Sequence, residues 1–265
     1  MPSSSSSKKL LKLHLYDHCP YCIRVELAMG WQNIHYERIV YGYGDKLGDE
    51  TKQGCYSTGV VLTGKKELPV LEQITIIKTV DGKEEEVRDW LKAESLDIID
   101  WVQSQPGCSP FAPKSNDKKL AQFFDTNGRF KILQRIVLLP RYQKMIYLKD
   151  WMREEDRSYA KTKYEKGGFD YDAAEKADCE SIEEMNLLLQ EFETTFLPLP
   201  SDTTTTTISL YPTGIPGYDD LLYLPELRTV TVVAKGVVWP ARLKQYVVSA
   251  HAKANVETYF NNQVE

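Results

Sequence analysis

Two cysteines, Cys19 and Cys22, enclose Pro20 and Tyr21 at the point where the chain changes its periodicity. Before them, Leu10–Tyr16 alternates apolar and polar side chains, the period of a half-buried strand. After them, Ile23–Trp31 carries Val25, Ala28 and Met29 on one side, the spacing of a helix. Asp17 and His18 separate the two patterns. A Cys-x-x-Cys pair that follows a strand and opens a helix leaves few folds open, because the helix must cover the sheet in which that strand ends.

The same position sets the chemistry. At a helix N-terminus Cys19 faces amides without helical partners and the positive end of the macrodipole. Its thiol is expected to ionise below the ~8.5 of a free cysteine. Pro20 suits the first helical position, where no N–H is needed. Cys22, one turn inside the helix, can reach back to a disulfide formed on Cys19. Cys19 is therefore the expected nucleophile and Cys22 the expected resolving thiol. Zinc would need a second pair or histidines at ligand spacing, and Cys55, Cys108 and Cys179 offer neither. No metal ligand is assigned. An iron–sulfur cluster bridged between two copies needs only one thiolate from each, and that alternative stays open.

The rest of the first half extends the pattern. Ile34–Tyr41 reads as a second strand, ending at Gly42-Tyr43-Gly44, which lacks the third glycine of a dinucleotide-binding turn. Val70–Val80 and Glu84–Arg88 flank Asp81-Gly82, a hairpin signal. Ser95 stands as an N-cap before Ile98, Ile99 and Val102. The order β-α-β, an irregular stretch, then β-β-α is that of thioredoxin. His18 stands either beside the thiolate or in solvent, and Arg24 reads as a surface charge.

From Gln105 the texture changes. Three prolines and a glycine within residues 105–113 suit a linker. Beyond it apolar residues fall at helical spacing, as in Ile182, Met185, Leu189, Phe192 and Phe196, and again in Leu243, Val247, Ala250 and Ala254. A helix beginning near Leu120 should kink or end at Pro140. Trp239-Pro240 reads as a turn into the last helix. The expected organisation is a disordered Ser-rich tail over residues 1–9, an α/β domain over 10–104, a linker over 105–115 and an all-helical domain over 116–265.

A net charge of −5, from 33 basic and 38 acidic residues, argues against nucleic acid, which demands a basic face. The apolar runs are far shorter than the ~20 residues of a membrane span. Five cysteines, no Asn-x-Ser/Thr acceptor and no signal-peptide core point to a reducing, cytoplasmic location.

The segments Tyr16–Cys22, Leu68-Pro69-Val70-Leu71 and Glu94–Ile99 resemble glutaredoxins of the bacterial glutaredoxin 2 type. So do Leu138–Tyr142, Leu224–Val233 and Val238–Arg242 in the second half. The resemblance runs from Leu13 to the C-terminal helix. It implies a thioredoxin-like N-terminal domain followed by an all-α C-terminal domain, the glutathione S-transferase-like architecture. It also implies glutathione as cosubstrate, glutathionylated or disulfide-containing proteins as partners, and a monomer. Residue by residue, Pro69 would be a cis-proline and the backbone of Leu68 would pair with the cysteinyl unit of glutathione. Glu94 would meet the γ-glutamyl ammonium, Ser95 the adjoining carboxylate, and Tyr21 would pack beside the bound thiol.

This sequence departs from that pattern in a long Gly42–Lys66 connection, a long Gln73–Lys92 hairpin and a Thr-rich loop. It also lacks a Ser/Thr-x-x-Asp capping box at Gly217–Asp220. Cys55 stands as a regulatory or an incidental thiol, and Cys108 and Cys179 as structural or incidental ones. Two other functions fit the same fold: a conjugating glutathione S-transferase-like enzyme, and a non-catalytic glutathione-binding or interaction protein. The intact cysteine pair favours thiol–disulfide exchange, since a second thiol at i+3 would trap a transferase cysteine as a disulfide.

Overall fold

The computed structural model describes residues 8–44, 62–65, 67–79, 81–199 and 209–265. Cys55, most of the Gly42–Lys66 connection and Thr203–Thr207 lie outside them. Four strands form one sheet in the order β2-β1-β3-β4. Strand β1 (Lys8–Leu15) runs parallel to β2 (Glu37–Val40) and antiparallel to β3 (Val70–Lys78), which pairs antiparallel with β4 (Glu84–Ala93). Helices α1 (Pro20–Trp31) and α2 (Ser95–Gln103) pack on each other beside this sheet. The α/β thioredoxin-like unit and the helical unit expected after it are both present.

Several boundaries differ from the sequence reading for local reasons. Lys8 and Lys9, assigned to the tail, pair with Ile76 and Thr75 as the first residues of β1. The second strand starts at Glu37 because the Ile34 N–H is spent on the carbonyl of Met29 at the end of α1. The hairpin is wider than a two-residue turn. Its last pair is Lys78 with Glu84, Thr79 and Lys83 close it (2.8 Å), and Gly82 supplies a φ of 82° that other residues rarely adopt. A register shift between Gln73 and Ile74 lets β4 continue past Arg88 to Ala93.

In the second half, one expected helix is two. Asp117 caps α3 (Lys118–Phe123), and Asp125-Thr126-Asn127-Gly128 turns the chain before α4 (Arg129–Tyr142). Helix α4 runs two residues past Pro140 and then ends. After a 3-10 turn at Lys149–Trp151 come α5 (Glu154–Lys166), α6 (Tyr171–Lys176), α7 (Asp178–Phe196), α8 (Tyr218–Val230) and α9 (Ala241–Lys253). The stripe on α7 is buried from Ile182 to Phe192, and Pro240 caps α9. Half of a capping box holds α8. Asp220 accepts the Gly217 N–H at 2.9 Å, although position 217 has no hydroxyl to return the bond.

Helix α1 is buried on nearly every side because the helical unit covers the face that the sheet leaves free. It packs against α8 and α9 as well as α2. Trp31 Nε1 donates to the carbonyl of Ala250 at 2.9 Å. At Gly30 the backbones of the two units approach so closely that a Cβ would stand 2.2 Å from the Ala254 carbonyl oxygen. No described helix is long and apolar enough to cross a membrane.

Candidate active site

Cys19 is the N-cap residue of α1, with extended φ and ψ of −74° and 119°, and Pro20 takes the first helical position. The Cys19 carbonyl accepts the N–H groups of Cys22 and Ile23, both at 3.0 Å, which fixes the first turn. Cys22 is fully buried behind Cys19, and its sulfur accepts the Tyr16 N–H at 3.5 Å. Both thiols are free. The Cys22 thiol, hydrogen-bonded to Cys19, lowers the Cys19 pKa to about 7. Burial opposes this, while the charge of His18 and the N–H groups of Cys22 and Tyr21 assist. Cys22 itself is pushed well above an ordinary thiol by burial and by the thiolate it would share a proton with. The two sulfurs thus divide into an ionised and a protonated partner near neutral pH.

Cys19 opens onto a cleft of about 1090 Å³ between the two halves of the chain. Tyr21, Leu68, Pro69, Glu94 and Ser95 all line that cleft. The Leu68–Pro69 peptide is cis, as the resemblance implied. Tyr21 is 55% exposed at the rim, with the Arg24 guanidinium 5.1 Å from its ring centre. Cys22 is the one expected site residue that lies behind the cleft rather than on its wall.

Ser95 is not the N-cap. Glu94 holds that place with φ 67° and ψ 120°, and its carbonyl accepts the Ile98 N–H at 3.0 Å. Ser95 becomes the first helical residue, and its hydroxyl instead accepts from Arg24 Nη1 at 3.2 Å. A non-glycine residue in this backbone region costs on the order of 1–3 kcal/mol. That cost falls on Glu94, which lines the cleft beside the open end of α2.

Three polar features of the site were not legible in the sequence. Arg24, read as a surface charge, is buried. His18, for which a solvated position stood open, is buried too, with its Nδ1 2.5 Å from Asp150 Oδ2. Asp150, in the 3-10 turn of the helical unit, is the third. Its carboxylate has no exposed surface and also accepts the backbone N–H groups of Asp17 (2.9 Å) and His18 (2.7 Å). From the same side Arg228 Nη1 (3.0 Å) and the Tyr259 hydroxyl (3.2 Å) donate to the Asp17 carbonyl. Trp151 packs its ring 4.4 Å from that of His18. The helical unit therefore holds the loop that leads into Cys19. A lone aspartate 132 residues from His18 carries no sequence signal for this role.

The family described as "Glutaredoxin 2, C terminal domain" matches residues 126–262, more than half of the chain. The chain belongs to the glutaredoxin 2 family. Glutaredoxin 2 of Escherichia coli K12 is 26% identical over 239 residues, covering 89% of this chain and 92% of its own. Its counterpart in E. coli O157:H7 matches to the same extent. The fold is shared with glutaredoxin 2 from Salmonella typhimurium, solved in complex with glutathione. That structure superposes with a TM-score of 0.73 at 21% identity, over 97% of this chain and 100% of the other.

Proposed function

We propose that this member of the family is a glutathione-dependent thiol–disulfide oxidoreductase in which Cys19 is the nucleophile, Cys22 the resolving thiol and glutathione the cosubstrate. The observation that carries the reading is the convergence in one cleft of an acidified Cys19, the cis Leu68–Pro69 peptide and the open N-terminus of α2. A pKa of about 7 leaves about half of the sulfur as thiolate at neutral pH, near the optimum for an attacking thiol.

The Cys19 thiolate attacks the glutathionyl sulfur of a protein–glutathione mixed disulfide. The S–S bond breaks, the protein leaves as a thiolate that takes up a proton, and glutathione stays joined to Cys19. A second glutathione thiolate attacks that sulfur and departs as glutathione disulfide, restoring the Cys19 thiolate. On an intramolecular protein disulfide, Cys19 forms a mixed disulfide with the protein. Cys22 then loses its proton and attacks Cys19, releasing the reduced protein, and two glutathiones reduce the resulting Cys19–Cys22 bond. In this reading Leu68 pairs its backbone with the cysteinyl unit and Pro69 shapes that edge. Tyr21 flanks the sulfur, while Glu94 and Ser95 hold the ammonium and carboxylate of the γ-glutamyl end. The partners are glutathionylated or disulfide-containing proteins, met by a monomer in the reducing cytoplasm.

Glutathione-coupled reduction of a small mixed disulfide, measured beside conjugation of a model electrophile, tests this. Wild type should turn over the disulfide and Cys19→Ser should not, because a serine hydroxyl neither ionises at neutral pH nor exchanges with disulfides. Faster conjugation than reduction, or full reduction by Cys19→Ser, overturns the reading.

A further inference from the structure

Arg24 is 8% exposed, lies one turn beyond Cys19 on α1 and borders the cleft. A guanidinium carries five N–H donors and keeps its charge under all ordinary conditions. Among the described residues this one makes a single hydrogen bond, to the Ser95 hydroxyl, and no ion pair. Its Nε is buried without a partner. Glu226, a carboxylate on the facing wall, is already engaged by Lys131 and by Gln134 Nε2 (3.1 Å). A buried cation left without a counter-ion is costly, and such groups are kept where an anion completes them.

The position of its one bond says which anion. Ser95 Oγ accepts from Arg24, so the hydroxyl proton stays free to donate away from Arg24, into the cleft. It does so at the first residue of α2, where helix amides point outward unpaired. A planar carboxylate set there would meet the Ser95 hydroxyl, the first-turn amides and the charge of Arg24 together.

Resting on the glutathione reading above, we propose that Arg24 is the positive charge that selects an α-carboxylate at Ser95, and hence the γ-glutamyl end of glutathionylated substrates. It is a positioning and specificity residue. Its main effect belongs to substrate capture, beside a minor attraction to the Cys19 thiolate.

The test compares a glutathione mixed disulfide with the same disulfide built on 4-aminobutyryl-cysteinylglycine, which keeps the ammonium and lacks only the α-carboxylate. Wild type should prefer the glutathione form. In R24M its KM should rise about 10- to 100-fold with kcat changed less than about threefold. The aminobutyryl substrate should lose nothing further, and any upward move of the thiolate absorbance near 240 nm should be too small to lower kcat beyond that margin. R24K keeps the charge without the planar fork, should recover part of the loss, and carries the test should R24M not fold. Equal KM increases for both substrates, or an upward shift of the thiolate titration with a matching fall in kcat, overturn the proposal while the glutathione reading stands. A wild type with no preference between the two substrates overturns both.

Discussion

Asp150→Asn probes the strongest tie between the helical unit and the redox loop. The aspartate accepts three bonds: one on Oδ1 from the Asp17 N–H, and two on Oδ2 from the His18 N–H and Nδ1. An asparagine has one acceptor oxygen. If it serves His18, its amide group faces the Asp17 N–H donor to donor. The unsatisfied N–H costs about 1–3 kcal/mol, and the bonds to His18 lose their charge assistance, another 1 kcal/mol or so. A loss of roughly 2–4 kcal/mol lowers Tm by about 5–15 °C for a chain of this size.

The thiolate should respond as well. Asp150 fixes the His18 ring, whose charge is one of the causes that lower the Cys19 pKa, so a ring released by Asp150→Asn assists the thiolate less. Cys19 is an acid held below its ordinary value, so kcat/KM rises with pH through about 7 in the wild type and flattens above it. In Asp150→Asn that inflection, and the matching thiolate absorbance, should move upward. A Tm within 2 °C of wild type would refute the clamp. An inflection that stays or moves down would show that Asp150 is not what sets His18 beside the sulfur.

Cys22→Ser should retain substantial turnover on glutathione mixed disulfides and lose far more on intramolecular protein disulfides, since only the latter need a resolving thiol. Equal losses on the two substrate types would contradict the division of labour. Glu94→Gly relieves the positive-φ backbone while deleting the carboxylate, so Tm should hold or rise while KM for glutathione substrates increases about 10-fold or more. A fall in Tm with KM unchanged would place Glu94 in the fold alone. Gly30→Ala drives a Cβ into the Ala254 carbonyl, a backbone atom that cannot step aside, and should destabilise by about 1–3 kcal/mol in urea unfolding. Unaltered stability would mean that the contact between α1 and the end of α9 is loose.

Local pattern was enough for the order of strands and helices along the first half, the redox motif at a helix start and the helical second half, because each is written in short-range periodicity. Reading Arg24 as exposed failed for a physical reason. The periodicity of α1 shows which side faces the sheet, but its other side is covered by α8, about 200 residues further on. Ser95 as an N-cap failed because composition cannot reveal that Glu94 takes a left-handed φ, which moves the helix start by one residue. Asp150 was silent for a third reason. A buried carboxylate is recognised by the N–H groups it accepts, and those belong to the other half of the chain.

The two thiols show why that burial matters to the chemistry. Cys22 is fully buried, and its thiol is held well above the ordinary range. Each unit above the working pH costs about tenfold in thiolate, and the greater nucleophilicity of a more basic sulfur returns only about threefold. Once Cys19 is held in a mixed disulfide, the causes that come from its thiolate are gone and burial remains, so resolution by Cys22 depends on its closeness to Cys19 for its effective concentration. External glutathione meets no such penalty at an open cleft. In the proposed mechanism, the burial of Cys22 under the helical unit therefore favours the one-cysteine route on glutathionylated substrates, where external glutathione reaches Cys19 through the cleft.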